Sequence, residues 1–579
     1  MKLYQAPNIT QGRDHRMEKF FYPESVAVIG VSVKKLNLGR IILVNNAQIG
    51  FKGRLYGVGS EEGELAGVRV YTSVAGLPET PDVAIIITPA ATVPDMLEEC
   101  GKKGIRHAVI ESGGFSEFST GKNNLEEQVL AIAARYDMKF IGPNCVGTIN
   151  FETNLMMPFA FASRTLEPGN VAVISQSGGV GNTFLQCLPD NNILLSKFVA
   201  VGNKLQLDET DFLEYLLGDE RTGIIIAYLE GFKRGRRFYE LCAGSSKPVI
   251  VLKSNRSASS AMIAQSHTTA LSSSDDVVEA AFRQAGVIRV EDEDELISAT
   301  KIMQLPPMKG RRVAVLSRSG GHAVLTADAC AKYGFEMVPF PREFIDHVKT
   351  MYTTRVISHQ NPLDLGEIFD YTIFPRILEA AIQLPEVDGV LFNHLYQSEY
   401  EGEMSRKFLE EVKRICWKYG KPVSLAMISD ANEIQTLKKT NPFPIFSTPL
   451  TAARALDISA SFVERRNARA HRGTLHVSPV VPDSVRELRE ACMREGRLPL
   501  TDEALAVCAT AGLPVVEGAR ITRMDEVENL ALGFPVAVKL LSRDASHKTD
   551  VGGVRLGITN LTGVIDAMGE ILSLIHISE

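Results

Sequence analysis

One nine-residue pattern occurs twice. Residues 171–179 read VAVISQSGG and residues 313–321 read VAVLSRSGG, 142 positions apart. Each copy is an unbroken apolar run, then Ser-x-Ser-Gly-Gly, then a segment with helical periodicity. An apolar run without alternation suits a strand buried on both faces of a parallel sheet. A separation of about one domain length implies two related domains. The turn sets hydroxyls and free backbone N–H groups at a helix start, where phosphate binds readily. The competing reading is that the glycines only let the helix lie close to the strand. The first copy, with Ser175, Ser177, Gly178 and Gly179, is read as a phosphate site. The second, which carries Arg318 and His322, is read as a structural duplicate.

Upstream, strand-like runs alternate with helical patterns over residues 20–152, which predicts an α/β domain with a parallel sheet. Ligands of such sheets bind at the carboxyl ends of the strands. Those ends are small, polar or Gly-rich here: Gly30 and Ser32, Thr88 and Pro89, Glu111 to Gly114, and Gly142 to Cys145 with Asn144. They suit a nucleotide-like ligand. The first turn lacks GxGxxG and its downstream acid, so a nicotinamide cofactor is not favoured.

Residues 249–276 begin as a buried strand and then dissolve into Ser, Ala, Asn and Thr around His267, with Ser266 and Thr268 beside it. Such a loop moves cheaply and can lie against a ligand; the bland alternative is a surface loop. Glu230 closes the apolar run 224–229 at the ligand edge. It could steady an imidazole or cap a helix, and the residues alone leave both open.

A third domain is expected over 306–463, a charged linker over 464–483, and a last segment from 484. There, a strand is expected near Val515. Lys539 ends another apolar strand, and His547, Gly552 and Gly553 belong to a Gly-rich turn that suits nucleotide phosphates. The net charge of −7 carries no basic block, which argues against nucleic acid. The eight cysteines form no CxxC or metal cluster, so reduced thiols and a cytoplasmic protein are expected. No signal peptide or membrane-length apolar run is visible, so no membrane partner is expected.

These landmarks, in this order, resemble the NDP-forming acyl-CoA synthetases, relatives of succinyl-CoA synthetase. The resemblance rests on residues 175–178 (SQSG), 142–145 (GPNC), 266–268 (SHT) and 547–554 (HKTDVGGV). It implies a Rossmann-like CoA-binding domain at 20–152 and two flavodoxin-like domains at 153–305 and 306–463. An ATP-grasp segment follows at 484–571. It implies that His267 is transiently phosphorylated and that Glu230 steadies it. Ser175, Ser177, Gly178 and Gly179 would hold phosphate. Gly30, Ser32, Thr88, Pro89, Asn144 and Cys145 would line the CoA edge. Lys539, His547, Gly552 and Gly553 would serve the nucleotide, with His547 where some members carry a second phosphorylated histidine. The implied cofactors are CoA, ATP or ADP, and Mg²⁺; no metal ligand is assigned within this chain. The implied partner is an acyl-CoA or carboxylic acid, and a homo-oligomer is expected.

The chain departs from the family pattern at Thr269, at Asn255, and at Val58 to Glu61, where a lysine near CoA is usual. Family members also continue past the Gly552-Gly553 turn into the adenine pocket and the Mg²⁺ ligands. The expectation is therefore a truncated reading frame with a non-native tail at 572–579, competent for the acyl-CoA and phosphate half-reaction only. Two alternatives share this body: that of a protein-lysine acyltransferase, and a non-catalytic acyl-CoA-binding or sensing protein.

Overall fold

The structure is a computed structural model. It describes residues 15–115, 124–159, 167–257, 259–260, 274–352, 360–472, 481–529, 531–542 and 548–575. The chain divides into two compact units, Met1–Gly473 and Thr474–Glu579.

The first unit carries three sheets. The first has seven strands in the order Gly63–Leu65, Val68–Tyr71, Arg54–Gly59, Ser25–Val31, Val83–Ile86, His107–Ile110 and Lys139–Ile141. All pair in parallel except Gly63–Leu65 with Val68–Tyr71. Successive side chains point to opposite faces, so each strand feeds two cores. Ala27, Ile29, Ala84 and Ile86 meet Val93, Leu97 and Val129 of the covering helices. Val26, Val28, Val83 and Ile85 turn to the other face, with Ile42 and Leu43.

That second core is shared with the next sheet, since Ala172, Ile174, Phe212 and Leu213 belong to it. Phe20 meets Phe212 edge-on and Phe21 stacks on Tyr215, which joins the two sheets through the segment before the first strand. Burying one such ring contributes roughly 1.5–3 kcal/mol.

The second sheet runs Ile288–Val290, Val249–Lys253, Ile224–Leu229, Val171–Ser175, Leu195–Ala200, Gly147–Asn150 and Leu155–Met156. Its first five strands are parallel; the last two form an antiparallel hairpin at the edge. The strand Gly147–Asn150 thus lies in the second sheet, although the expected first domain reached residue 152. Thr148 and Asn150 explain the placement: their side chains donate to the carbonyls of Phe20 and Phe21 while the strand backbone pairs with Leu195–Ala200.

The third sheet is built on Arg312–Ser317, flanked by Gly389–Leu395, Val423–Ile428 and Ile445–Phe446 on one side and by Glu336–Met337 and Leu363–Asp364 on the other. All are parallel. A 24-residue helix, Pro449–Arg472, packs on the helices Glu293–Ile302 and Gly320–Lys332. Residues 464–472 are therefore helix and not linker. Arg465 donates to Val287 O, and Arg469 to Ala285 O at 2.8 Å. These are carbonyls at or just past the end of the helix Asp275–Ala285, which lack intrahelical donors.

The second unit holds the helices Asp483–Glu495, Thr501–Thr510 and Leu561–Ile575 with an antiparallel pair, Val536–Lys539 and Val554–Ile558. Residues 514–516, expected as a strand, join no ladder among the described residues. Among the described residues, no helix is long and apolar enough to cross a membrane.

Candidate active site

The carboxyl ends of the first sheet form a row of tight turns. Gly30 has φ 103°, and a Cβ there would sit 2.4 Å from Ile87 O, so only glycine fits. Asn37 holds the following loop: its Oδ1 accepts from Arg40 N and Ser32 N, and its Nδ2 donates to Gly30 O. Ser32 Oγ accepts from Lys35 N. Thr88 N donates to Ser112 Oγ, and Pro89 precedes the short turn into the helix Val93–Lys103. Asn144, at φ 56°, donates from its backbone to Ser112 O. Cys145 is buried and its thiol donates to Ile110 O; burial and the neighbouring Glu111 push it up, which disfavours the thiolate a nucleophile would need.

Two polar groups on this edge have no protein partner among the described residues. Thr88 Oγ1 is one. The other is the carboxyl of Glu111, which is 4% exposed, with neither oxygen hydrogen-bonded. Burial raises it well above the usual carboxylate range and favours its neutral form. Orphaned buried polar atoms at adjacent strand ends fit a polar ligand.

On the second sheet, Ser175 Oγ donates to Ser177 O at 2.6 Å, and Ser177 Oγ caps the helix Gly178–Cys187 by accepting from Val180 N. The glycines divide by role. A Cβ on Gly181 would lie 2.7 Å from the Phe198 ring, so this glycine serves packing. A Cβ on Gly179 would meet nothing nearer than Ser177 Oγ at 3.8 Å, and on Gly178 nothing nearer than Val146 at 3.1 Å. Space therefore remains over Gly179, whereas Gly178 is packed against Val146.

Glu230 ends the neighbouring strand, and its backbone is held from both sides. Its N–H donates to Gln176 Oε1 at 2.9 Å, and its carbonyl accepts from Lys253 Nζ at 2.9 Å and Asn255 Nδ2 at 3.2 Å. Gln176 Oε1 also accepts from Gly231 N and from Lys204 Nζ, which is paired with the buried Glu209. The 201–205 loop reaches back to the first sheet: Asn203 N donates to Pro143 O and Leu205 N to Gly142 O, both at 3.0 Å. The 142–145 turn and the turn after Ser175 are thus linked through one loop. Lys204 and Glu209 were not among the sequence-derived site residues, and Gln176 and Glu111 were given no role of their own. Those two did leave a signal: Gln176 lies inside the 175–178 pattern, and Glu111 is an acid directly after an apolar strand, the cue that marked Glu230.

His267, with Ser266 and Thr268, lies outside the described residues. The chain that leads to it leaves the second sheet at Lys253 and Asn255, beside Glu230. It returns at the helix Asp275–Ala285, where Arg289 binds Asp275.

The repeat in the third sheet is built differently. Ser317 Oγ again donates to the carbonyl two residues on, at 2.8 Å. Arg318, however, is buried against Tyr371 and Phe374 and paired with Glu401 at 3.0 Å. The Asp364 carboxylate lies 2.9 Å from where a Gly320 Cβ would be, so a negative charge already faces the helix start. This geometry suits a duplicate without phosphate.

In the second unit, Lys539 is exposed at its strand end, opposite Val554. Gly552, at φ 69°, and Gly553 close a turn on Thr549 O and Lys548 O. His547 lies outside the described residues. Among the described residues, no group of three or more His, Cys, Asp or Glu is arranged to hold a metal ion.

Residues 24–150 match the CoA binding domain family, 168–303 the succinyl-CoA ligase like flavodoxin domain, and 491–578 the ATP-grasp domain. The ADP-forming acetate–CoA ligase I of Archaeoglobus fulgidus is 33% identical over 546 residues, which are 94% of this chain and 78% of that protein. The chain belongs to the ADP-forming acetate–CoA ligase family. Another relative in this family of acid–thiol ligases, the ADP-forming 4-hydroxybutyrate–CoA ligase of Nitrosopumilus maritimus, is 30% identical over 95% of this chain and 79% of its own. Among solved structures, dinucleotide-forming acetyl-coenzyme A synthetase 1 of Candidatus Korarchaeum cryptofilum, in complex with phosphate and ADP, superposes with a TM-score of 0.73. It is 30% identical, and the match covers 79% of this chain and 99% of that one.

Proposed function

We propose that this member of the family interconverts an acyl-CoA and phosphate with a carboxylic acid and CoA, and passes the phosphoryl group to ADP through His267. The observation that carries the reading is the link between the two sheet edges through the 201–205 loop. It sets the ligand edge of a CoA-binding domain against a hydroxyl-lined helix start and Glu230.

Gly30, Ser32, Thr88, Pro89 and Asn144 hold the CoA, with Cys145 as a wall. Ser175, Ser177, Gly178 and Gly179 present hydroxyls and N–H groups to phosphate. A phosphate oxygen attacks the thioester carbonyl carbon, the C–S bond breaks, and the CoA sulfur leaves as thiolate and takes a proton. An imidazole nitrogen of His267 then attacks the phosphorus of the acyl phosphate. The P–O bond to the acyl group breaks and the carboxylate departs. Glu230 stabilises the positive charge that the ring acquires. Lys539, His547, Gly552 and Gly553 serve the nucleotide that receives the phosphoryl group. Two relatives act by name on acetate and 4-hydroxybutyrate, so short aliphatic acids head the substrate panel.

The test is a half-reaction that needs no nucleotide. The purified chain is incubated with radiolabelled phosphate and a panel of acyl-CoAs. Acid-labile, base-stable protein label is expected with one class of acyl-CoA and is expected to vanish in His267→Asn. Absence of label with every acyl-CoA, while CoA still binds, would replace this reading with a sensing or binding role.

A further inference from the structure

The backbone on either side of Lys204 is bound to the turn that follows the first sheet, while its side chain is spent on the second sheet. It is 4% exposed, and its ammonium donates to Gln176 Oε1 at 3.0 Å and to Gly231 O at 2.8 Å, and pairs with Glu209 at 3.0 Å. Glu209 is itself fully buried at the start of the helix Glu209–Gly218. On either side of Lys204, Asn203 N and Leu205 N are bound to Pro143 O and Gly142 O, and Asn203 Oδ1 accepts from Asn144 Nδ2. Lys233 Nζ fastens the carbonyls of Lys204 and Leu205. A Cβ on Gly202, which has φ 58°, would fall 2.4 Å from Asn144 O, so the contact between loops is as close as backbone allows.

We propose that Lys204 is a positioning residue that holds the phosphate turn and the Glu230 strand end in register with the 142–145 turn of the CoA edge. The role rests on the functional reading above. A buried ion pair is a poor source of stability, because desolvation offsets most of its attraction. Replacing such a pair by two apolar side chains of similar volume is often neutral or stabilising. What the pair provides is direction. Gln176 Oε1 accepts from Lys204 Nζ and from the two backbone N–H groups of Glu230 and Gly231. The ammonium turns the amide oxygen towards those N–H groups and polarises it, which sets where the Glu230 strand end stops. Because the Lys204 backbone is fixed on the first sheet, a shift of either edge would break the same contact.

The experiment compares wild type, Lys204→Met and the double variant Lys204→Met/Glu209→Met. The single variant leaves a buried carboxylate without its cation and is expected to unfold more readily. The double variant removes both charges and is expected to keep its fold. Two readouts are taken on the double variant. Hydrogen exchange at the amides of Glu230 and Gly231 is expected to speed up by about 10-fold or more, since their acceptor is released. Acyl-CoA-dependent phosphoenzyme formation is expected to slow about 100-fold with a raised KM for phosphate, as a displacement near 1 Å does to a reacting pair. Unchanged exchange overturns the proposal, and so does faster exchange with a wild-type rate. A wild type that takes no label defeats the functional reading instead, and the exchange result then decides by itself whether Lys204 holds the edge.

Discussion

Lys253 Nζ lies 2.9 Å from the carbonyl oxygen of Glu230. The last residue of one strand is thereby tied to the residue just past the end of its neighbour, at the root of the segment that contains His267. Burial pushes this ammonium down to about 8 from 10.5. On the proposed reading, phosphoenzyme formation is expected to fall as pH rises through about 8, when positive charge beside the Glu230 strand end is lost. Stability moves the other way. Between about 8 and about 10.4 the unfolded chain binds more protons at this site than the folded one, so the fold gains stability with rising pH. The loss of rate is therefore not unfolding. Lys253→Arg, which stays charged, is expected to lose the descending limb. Single-turnover labelling from pH 6 to about 9.5 measures it; a limb that persists in the arginine variant would falsify the assignment.

The Glu111 carboxyl carries a cost that grows with pH. Its folded-state value is raised by burial, so its contribution to stability is intact below the unfolded carboxylate range and is lost as pH rises through the folded value. Glu111→Gln keeps the shape and removes the titration. The variant is expected to be more stable than wild type at pH 8 by about 1–3 kcal/mol, and indistinguishable from it near pH 4.5. If the carboxyl meets CoA or the acyl group, the same variant labels more slowly. Denaturant midpoints at the two pH values and the labelling rate test both halves. Equal destabilisation at both pH values would show that the carboxyl has an unseen partner.

Much of this architecture is visible in the chain because parallel strands buried on both faces read as apolar runs. Val171 to Ser175 and Val313 to Ser317 are such runs, each followed by its Gly-rich turn. The same rule failed at Val515 and Val516, which are β-prone but join no ladder in the described second unit. Residues 464–472 look like a solvated linker because their charge is high. They fold as helix because Arg465 and Arg469 bury their stems and spend their guanidinium groups on carbonyls from a sequence-distant helix end. Lys204 and Glu209 escaped notice for a related reason. A charged residue in an αL turn or a first helical turn reads as surface, and only the fold shows that the two neutralise each other in the interior.

A fully buried histidine in the third sheet is expected to make that domain acid-sensitive. His394 Nε2 lies 3.0 Å from Ser405 Oγ, its Nδ1 has no partner among the described residues, and its ring is packed among Phe374, Phe392 and Phe408. Burial first, and Arg318 second, hold it well below the usual imidazole range. The unfolded chain takes up a proton near pH 6.5 that the folded chain refuses. Stability is therefore full above that pH and falls by up to about 1.4 kcal/mol per pH unit below it. His394→Phe is expected to flatten this dependence between pH 7.5 and 5, as read by denaturant midpoints. An unchanged slope would move the acid sensitivity to another group.

The two readings of the Gly-rich turn separate at Gly179 and Gly181. A methyl at Gly181 runs into the Phe198 ring at 2.7 Å, so Gly181→Ala is expected to destabilise by about 1–3 kcal/mol through overpacking. A methyl at Gly179 enters open space, and alanine is the better helix former. Gly179→Ala is therefore expected to keep or raise stability by about 0.4–1 kcal/mol. If the turn holds phosphate, that methyl stands where the anion approaches the helix start. Phosphate affinity is then expected to fall about 10-fold or more, in a variant whose fold is sound. Calorimetric titration of phosphate, with thermal midpoints of both variants, gives the answer. Unchanged affinity in Gly179→Ala would mean that the glycines here serve only the close packing of helix on strand.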